Sequence, residues 1–297
     1  GIVDAVAGVT FQPAPNDSDS TRAGRYLSGA LVLDGQAAPT LAYRLSFQTL
    51  ASGRRYGNGP AGADFQPFGS TRTLYDSRIQ TASARVSYSA GRQTLTAGYE
   101  FENENYAFDY ADASDRLASS AVNATQRSNA LFAQEQVKLL DGRVLLSGGF
   151  RAQYFQQLNR PVFAPVASSP YSGIALPAPP AAYTGDGSAA YLIRSTNTKI
   201  RAHAGRGYRA PSLYERFGSS FDSFFGYSNY GDPRLKPEHS FGFDAGIDQD
   251  FRSGRVRVSA TYFYSRLEDT IAFGSVSSAD PYGRTFGGYI NSKGGLS

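Results

Sequence analysis

The 297-residue chain has no cysteine, no methionine, no tryptophan and only two histidines. Without cysteine there is no disulfide, no thiolate nucleophile and no cysteine-bound metal. No apolar run approaches the roughly 18 residues of a spanning helix, which excludes a helical membrane protein. Charge is also sparse in net terms: 29 basic against 25 acidic residues leave +4. The basic residues are scattered rather than clustered, so there is no nucleic-acid signature. Aromatic residues are plentiful, at 20 Tyr and 20 Phe. With Trp missing, tyrosine alone would furnish any aromatic girdle.

A strand's side chains alternate with period two, and this chain alternates along most of its length. Leu41, Tyr43, Leu45 and Phe47 oppose Arg44, Ser46 and Gln48. Ala84, Val86 and Tyr88 oppose Ser83, Arg85 and Ser87, and Leu95, Ala97, Tyr99 and Phe101 oppose Thr96, Glu100 and Glu102. The same holds for Val144 to Tyr154, Lys199 to Ala204, Phe241 to Asp248 and Val256 to Tyr264. In Leu131 to Leu139, Glu135 falls on the apolar side, which predicts a bulge or an interface position. Alternation alone also fits a soluble sandwich with one solvated face.

The connections decide between the two. Short links are predicted at Asp34 to Pro39, Ala90 to Gln93, Asp141 to Arg143, Ser195 to Asn197 and Arg252 to Gly254. Asp-Gly and Ser-Gly pairs there supply the positive-φ positions of tight hairpins. Long excursions at Ala51 to Asp76, Asp109 to Ala124, Leu158 to Gly187, Arg209 to Pro237 and Gly274 to Gly287 alternate with them strictly. A sandwich has no reason to put every long loop at one end, whereas an outer-membrane barrel has short periplasmic turns and long extracellular loops. The expected fold is all-β, an antiparallel up-and-down transmembrane barrel.

Two blocks are more specific. Ala204 to Glu215 reads AGRGYRAPSLYE, and Gly231 to Gly246 reads GDPRLKPEHSFGFDAG. Paired at this spacing they resemble the barrel signature of TonB-dependent outer-membrane receptors, closest to the siderophore and cobalamin branch. Leu131 to Gln136 (LFAQEQ) and Leu33 to Ala37 (LDGQA) extend the resemblance, which outside the paired blocks is compositional. It implies a plugged barrel of roughly 22 strands, of which about 12 are here. It further implies a Gram-negative outer-membrane location, lipid contact, and coupling to TonB through an N-terminal region. The ligand would be a small metal chelate, with no cofactor and no nucleic acid. The chain opens at Gly1 without a signal peptide or plug and closes within what reads as a new strand. Residues 1–297 are therefore expected to be the middle of a barrel.

Candidate chemistry follows from residue types. Phe221, Phe224, Phe225, Tyr227 and Tyr230 crowd one loop beside Arg209 and Arg216, while Arg54, Arg55 and Tyr56 stand at the base of another. Aromatic faces with guanidinium groups suit a planar anionic chelate through stacking, cation–π contact and charge-assisted hydrogen bonds. Asp109, Asp112 and Asp115 form a carboxylate cluster that calcium would accept, although EF-hand spacing is absent, and Asn16, Asp17 and Asp19 form a second. Arg209-Ala210-Pro211-Ser212 is expected to turn the chain out of its strand, with Ser212 capping a short turn that ends near Phe217. His203 and His239 leave a Ser-His-acid hydrolase open in principle, but no nucleophile elbow accompanies them. A passive channel or barrel-anchored adhesin is the alternative to a transporter.

Overall fold

A computed structural model describes residues 21–58, 71–112, 120–158, 162–164, 177–222, 226–251, 255–277, 280, 284 and 287–296. Ten long strands lie side by side in chain order, each antiparallel to the next. They are β1 (Thr21–Ala38), β2 (Leu41–Asn58), β3 (Thr71–Ala90), β4 (Gln93–Asp112), β5 (Ser120–Leu139) and β6 (Val144–Gln157). A three-residue strand, β7 (Val162–Ala164), pairs with β5 outside that path. The wall continues with β8 (Ala182–Ile193) and β9 (Thr198–Arg209). A helix α1 (Leu213–Phe217) and a small hairpin, β10 (Ser219–Asp222) with β11 (Gly226–Asn229), then precede β12 (Glu238–Phe251) and β13 (Val256–Glu268). A second small pair joins β14 (Thr270–Gly274) to β15 (Gly288–Ser292). The wall is a partial up-and-down barrel. It has ten strands among the described residues rather than a dozen, because the other short strands belong to connections.

Cross-strand register sorts the side chains into two faces. One row on the outward face runs Leu33, Leu45, Ala84, Tyr99, Leu131, Ala152, Tyr183. Another runs Leu41, Tyr88, Leu95, Glu135, Gly148, Gly187, Ala204, Phe243, Tyr264. Leu33, Leu45, Tyr88, Leu131, Phe150, Ile200, Phe243 and Tyr262 on this face are all exposed. A soluble sheet would bury such a surface, since large contiguous apolar patches mark interaction with a partner or a membrane.

The inward face carries the polar set. Arg151 bonds Glu100, Arg257 bonds Asp250, and Arg201 lies 3.3 Å from both Asp244 and Asp248. Serine pairs fill the gaps, as with Ser46–Ser83 and Ser147–Ser188, each 2.7 Å apart. The strands exceed the band they present. β4 has 20 residues and is on the order of 65 Å long, so its far half rises beyond the apolar rows. Outward residues there change character at one step, from Phe101 to Asn103 on β4 and from Ala82 to Gln80 on β3.

Three of the predicted short links fall within a residue or two of place, with positive φ at Gly91, Asp141, Gly142 and Asn197. The fourth, at 252–254, lies outside the described residues, but β12 and β13 pair across it. Two sequence expectations fail. Asp34 and Gly35 are not a turn: β1 continues to Ala38, with Asp34 opposite Arg44 and hydrogen-bonded to it. Of the two alternatives at Glu135, a bulge or an interface position, the bulge does not form, because its register with Leu95 and Gly148 is unbroken. Backbone pairing there outweighs the awkward side chain, which simply remains on the outward face.

Candidate binding vestibule at the long-loop end

The chain leaves β9 at Arg209 and folds inward over the far ends of β4 and β5. Ser212 caps α1: its side chain accepts from the Glu215 backbone, and the Glu215 carboxylate accepts from the Ser212 backbone, a reciprocal capping box. The helix is only five residues long, too short to persist alone, so packing must hold it. Leu213 and Phe217 are both 0 % exposed, buried against Tyr106, Phe108, Val122 and Ala124 on the inward face of β4 and β5.

Arg216 is the unusual member of this cluster at 1 % exposure. Its guanidinium donates to Gln157 at 3.0 Å, to Gln126 at 3.3 Å and to the Pro177 carbonyl, and lies 4.7 Å from the Phe217 ring centre. Burial pushes its pKa down to about 10, with nearby Glu104 opposing the shift. Glu104 feels the complementary effect: burial, then the Glu102 charge, raise its carboxyl to about 7, against the pull of Arg216. Both groups stand on the long-loop side of the apolar rows, where outward neighbours are Asn103 and Asn105.

The second signature block is a clamp. Gly231, Asp232, Pro233, Leu235 and Pro237 are all buried, and Asp232 ties Arg234 at 2.9 Å and the buried Arg284 at 3.3 Å. Arg284 also bonds Asp280 at 2.9 Å and the Tyr289 carbonyl at 2.8 Å. A Cβ on Gly231 would sit 2.7 Å from the Arg216 carbonyl group, so the close approach needs glycine. Asn291 both accepts from the Lys236 backbone at 2.8 Å and donates to it at 2.9 Å. The residues that make the sequence diagnostic therefore fasten two loops together.

The loop-facing aromatics form a tract. Tyr56 meets Tyr75 at 6.0 Å and Tyr75 meets Phe108 at 5.0 Å, beside Tyr106. Tyr106 meets Tyr214 at 5.9 Å, and Tyr214 meets Tyr230 at 5.5 Å and Tyr289 at 5.9 Å. Phe273 closes the far end, 5.6 Å from Tyr289. Burial raises the Tyr75 phenol to about 12 and pushes Tyr106 and Tyr230 up as well. The buried Tyr106 hydroxyl has no hydrogen-bond partner among the described residues.

Among the predicted site residues, Tyr56 on β2 and Tyr230 in the connection before β12 thus belong to one tract, although they stand 174 positions apart in sequence. Arg54 faces inward and donates to the Tyr26 hydroxyl at 2.9 Å, whereas Arg55 faces outward. Arg209 is engaged by protein: it donates to both Glu215 oxygens at 3.0 Å and to Glu238, which raise its pKa while holding Glu238 low. That role agrees with a structural turn at Arg209 to Ser212. Phe221 and Tyr227 face each other in the β10–β11 register, and Phe224 and Phe225 lie outside the described residues. Asp109 pairs with Arg72 at 3.6 Å; Asp112 ends β4, and Asp115, like Asn16, Asp17 and Asp19, lies outside the described residues. Tyr75, Tyr106, Tyr214 and Tyr289 were missed by sequence reasoning; period-two position on β3 and β4 marks only the first two as inward.

Among the described residues, the two histidines do not complete a hydrolase triad. Ser188, His203 and Asp244 stand side by side on β8, β9 and β12, with His203 Nδ1 3.3 Å from Asp244. Ser188 Oγ instead bonds Ser147, and His203 Nε2 faces Asp186 at 4.0 Å. No nucleophile–base hydrogen bond exists there.

Solved structures share this architecture. The "Copper transporter OprC" aligns with a TM-score of 0.65 and 14 % identity over 92 % of this chain and 43 % of its own. The siderophore receptor PirA from Acinetobacter baumannii gives 0.59 and 15 % over 93 % and 41 %, respectively. The ferric yersiniabactin uptake receptor FyuA from Yersinia pestis gives 0.54 and 15 % over 84 % and 37 %. The chain spans less than half the length of each, and the likeness at this identity is one of fold. No curated protein matches the sequence. A family description, "TonB dependent receptor-like, beta-barrel", matches residues 4–295, and the chain belongs to that family of transporters and receptors.

Proposed function

We propose that this chain is the middle of the barrel of an energy-coupled outer-membrane transporter for a scarce, bulky nutrient such as a ferric siderophore or cobalamin. The observation that carries the reading is the pairing of two surfaces on the same strands. One side is an outward apolar band suited to lipid, and the other an inward wall of ion pairs and hydroxyls suited to water and a plug. Above it, the aromatic tract from Tyr56 to Phe273 lines the inner side of the loop end. Tyrosine faces there, with Arg54 and the β10–β11 loop residues Phe221, Phe224, Phe225 and Tyr227, would take up a planar chelate by stacking and cation–π contact.

Arg209 contributes by fixing the loop rather than by offering a free charge, since Glu215 and Glu238 hold its fork. Arg55 is assigned to the outside. The ligand is released inward when force delivered through TonB moves the plug, so the function is binding and gating without covalent catalysis. Uptake by cells expressing the complete receptor tests this. A panel of radiolabelled ferric chelates, haem and cyanocobalamin should yield one substrate whose uptake stops when the proton gradient is collapsed. Uptake unaffected by the uncoupler would identify a passive pore instead.

A further inference from the structure

Glu135 stands on the outward face of β5 amid small and apolar neighbours. Along the strand these are Ala133 and Val137, and across it Leu95 on β4 and Gly148 on β6. Leu139 lies below it, so the carboxylate sits inside the apolar band rather than at its lower margin. The side chain is exposed, and its carboxylate has neither an ion pair nor a hydrogen bond among the described residues. An ionisable group that faces hydrocarbon is unfavourable and marks a functional position with a partner.

The row through Glu135 continues as Gly148, Gly187 and Ala204, and the row beneath it reads Leu146, Ala189, Ala202 and Ala245. Gly148, Gly187, Ala189, Ala202 and Ala204 thus floor a slot across β6, β8 and β9, which are adjacent in the wall. Neighbouring strands lie about 4.8 Å apart, so the slot is about 10 Å wide, the width of one polypeptide segment. Phe150, Tyr191 and Phe243 stand exposed around it. Nothing within the wall calls for the two glycines. Neither has a positive φ, and a Cβ on either would come no nearer than 3.8 Å to its surroundings. Glycine weakens a strand, and where the fold does not need it the usual reason is the close approach of another backbone. Small residues serve that purpose between membrane segments, whose association depends on packing and polar contacts.

The slot and the carboxylate adjoin, since Gly148 is the cross-strand neighbour of Glu135. A segment seated on the glycines brings its side chains against that carboxylate, which lacks a cation. A second copy of this chain does not supply one. Glu135 is about 10 Å above the short-turn end of β5, whereas Arg206, outward on β9, is about 20 Å above the short-turn end of its strand. Among the described residues, no outward arginine or lysine on the ten long strands stands lower than Arg206. Copies related by an axis along the membrane normal keep their heights, so these charges would miss each other.

We propose that the Gly148–Gly187 slot seats a membrane-embedded segment of a second, different protein, which presents a lysine or arginine to Glu135. The proposal rests on the outer-membrane reading and is tested with the complete receptor in its own outer membrane. Benzoylphenylalanine replaces Tyr191, at the slot's lower wall, and the membrane is irradiated. The expected product is an adduct with another protein, whose cross-linked segment maps by mass spectrometry to an apolar stretch holding one lysine or arginine. Loss of a polar contact between membrane segments should lower the adduct yield about tenfold in Glu135→Gln. Glu135→Lys should lower it further, and Gly148→Leu/Gly187→Leu should abolish it. Arg85→Gln, on the inward face of β3, should leave it unchanged.

No adduct, an adduct between two receptor copies, adducts with lipid alone, or a partner segment without a basic residue would each overturn the proposal. So would a yield that survives both Glu135→Gln and the leucine pair. The substituted positions in the slot face outward, and heat-modifiable gel mobility reports that the barrel is intact. Failure of the outer-membrane reading looks different: the receptor would not fractionate with the outer membrane at all.

Discussion

The lower wall and the long-loop end are built from the same strands but held by different forces. In the wall, one side of every strand is apolar and outward, and the other is polar, partly wet and paired through modest contacts such as Arg151–Glu100. Its integrity comes from the backbone ladder. At the loop end the same inward face turns hydrophobic, with Tyr106, Phe108, Val122 and Ala124 enclosing Leu213 and Phe217. A lumen-facing surface has thus become a small core, with a buried guanidinium at its centre. Local periodicity specifies the first region; contacts remote in sequence specify the second.

The comparison predicts that loop-end substitutions cost most. Phe217→Ala should destabilise the α1 region by about 3–5 kcal/mol and Leu213→Ala by about 2–5, because both lose fully buried side chains. Limited proteolysis between residues 210 and 237 should accelerate, while the heat-modifiable mobility of the barrel stays. Loss of that mobility would show that the two regions are not separable. Arg216→Ala should cost about 2–3 kcal/mol, since Gln126, Gln157 and the Pro177 carbonyl lose a charged donor.

A pH series sharpens the same contrast. Glu104 is raised from 4.5 to about 7, so the folded state binds its proton more tightly than the unfolded state. Stability of the loop end should therefore fall as pH rises from about 4.5 through 7, and Glu104→Gln should flatten that slope. An unchanged thermal profile in the variant would assign the slope to other groups. Arg209→Ala should cost about 1 kcal/mol, being half-exposed and solvent-screened. Arg151→Ala, an ion-pair loss in the lower wall, should stay within about 1 kcal/mol, measured by chemical unfolding.

These regions also differ in how far the residues alone reveal them. Ala84 opposite Tyr99 follows from two alternating segments and a tight turn, so the wall was readable from period and link length. The Ser212–Glu215 capping box was half visible, as a cap though not as a box. Arg209 was read correctly as a turn but also as a ligand contact. Nothing local announces that Glu238, 29 positions on, occupies its fork. Arg216 illustrates the limit: its partners Gln126 and Gln157 lie 90 and 59 residues away. Glu135 shows the opposite error, where a side chain that looked disruptive left the ladder unchanged.

In the proposed outer-membrane setting, each strand presents an apolar face to lipid, and this face ends at one row. The chain contains no cysteine of its own, so single cysteines can be introduced along β4. Spin labels at residues 95 to 105 in the membrane-embedded receptor should collide with oxygen at 95, 97, 99 and 101 and with a water-soluble nickel complex at 96, 98, 100 and 102. From 103 onward, the outward positions should switch to nickel. Uniform exposure to the water-soluble reagent along 95 to 101 would contradict a lipid-facing wall.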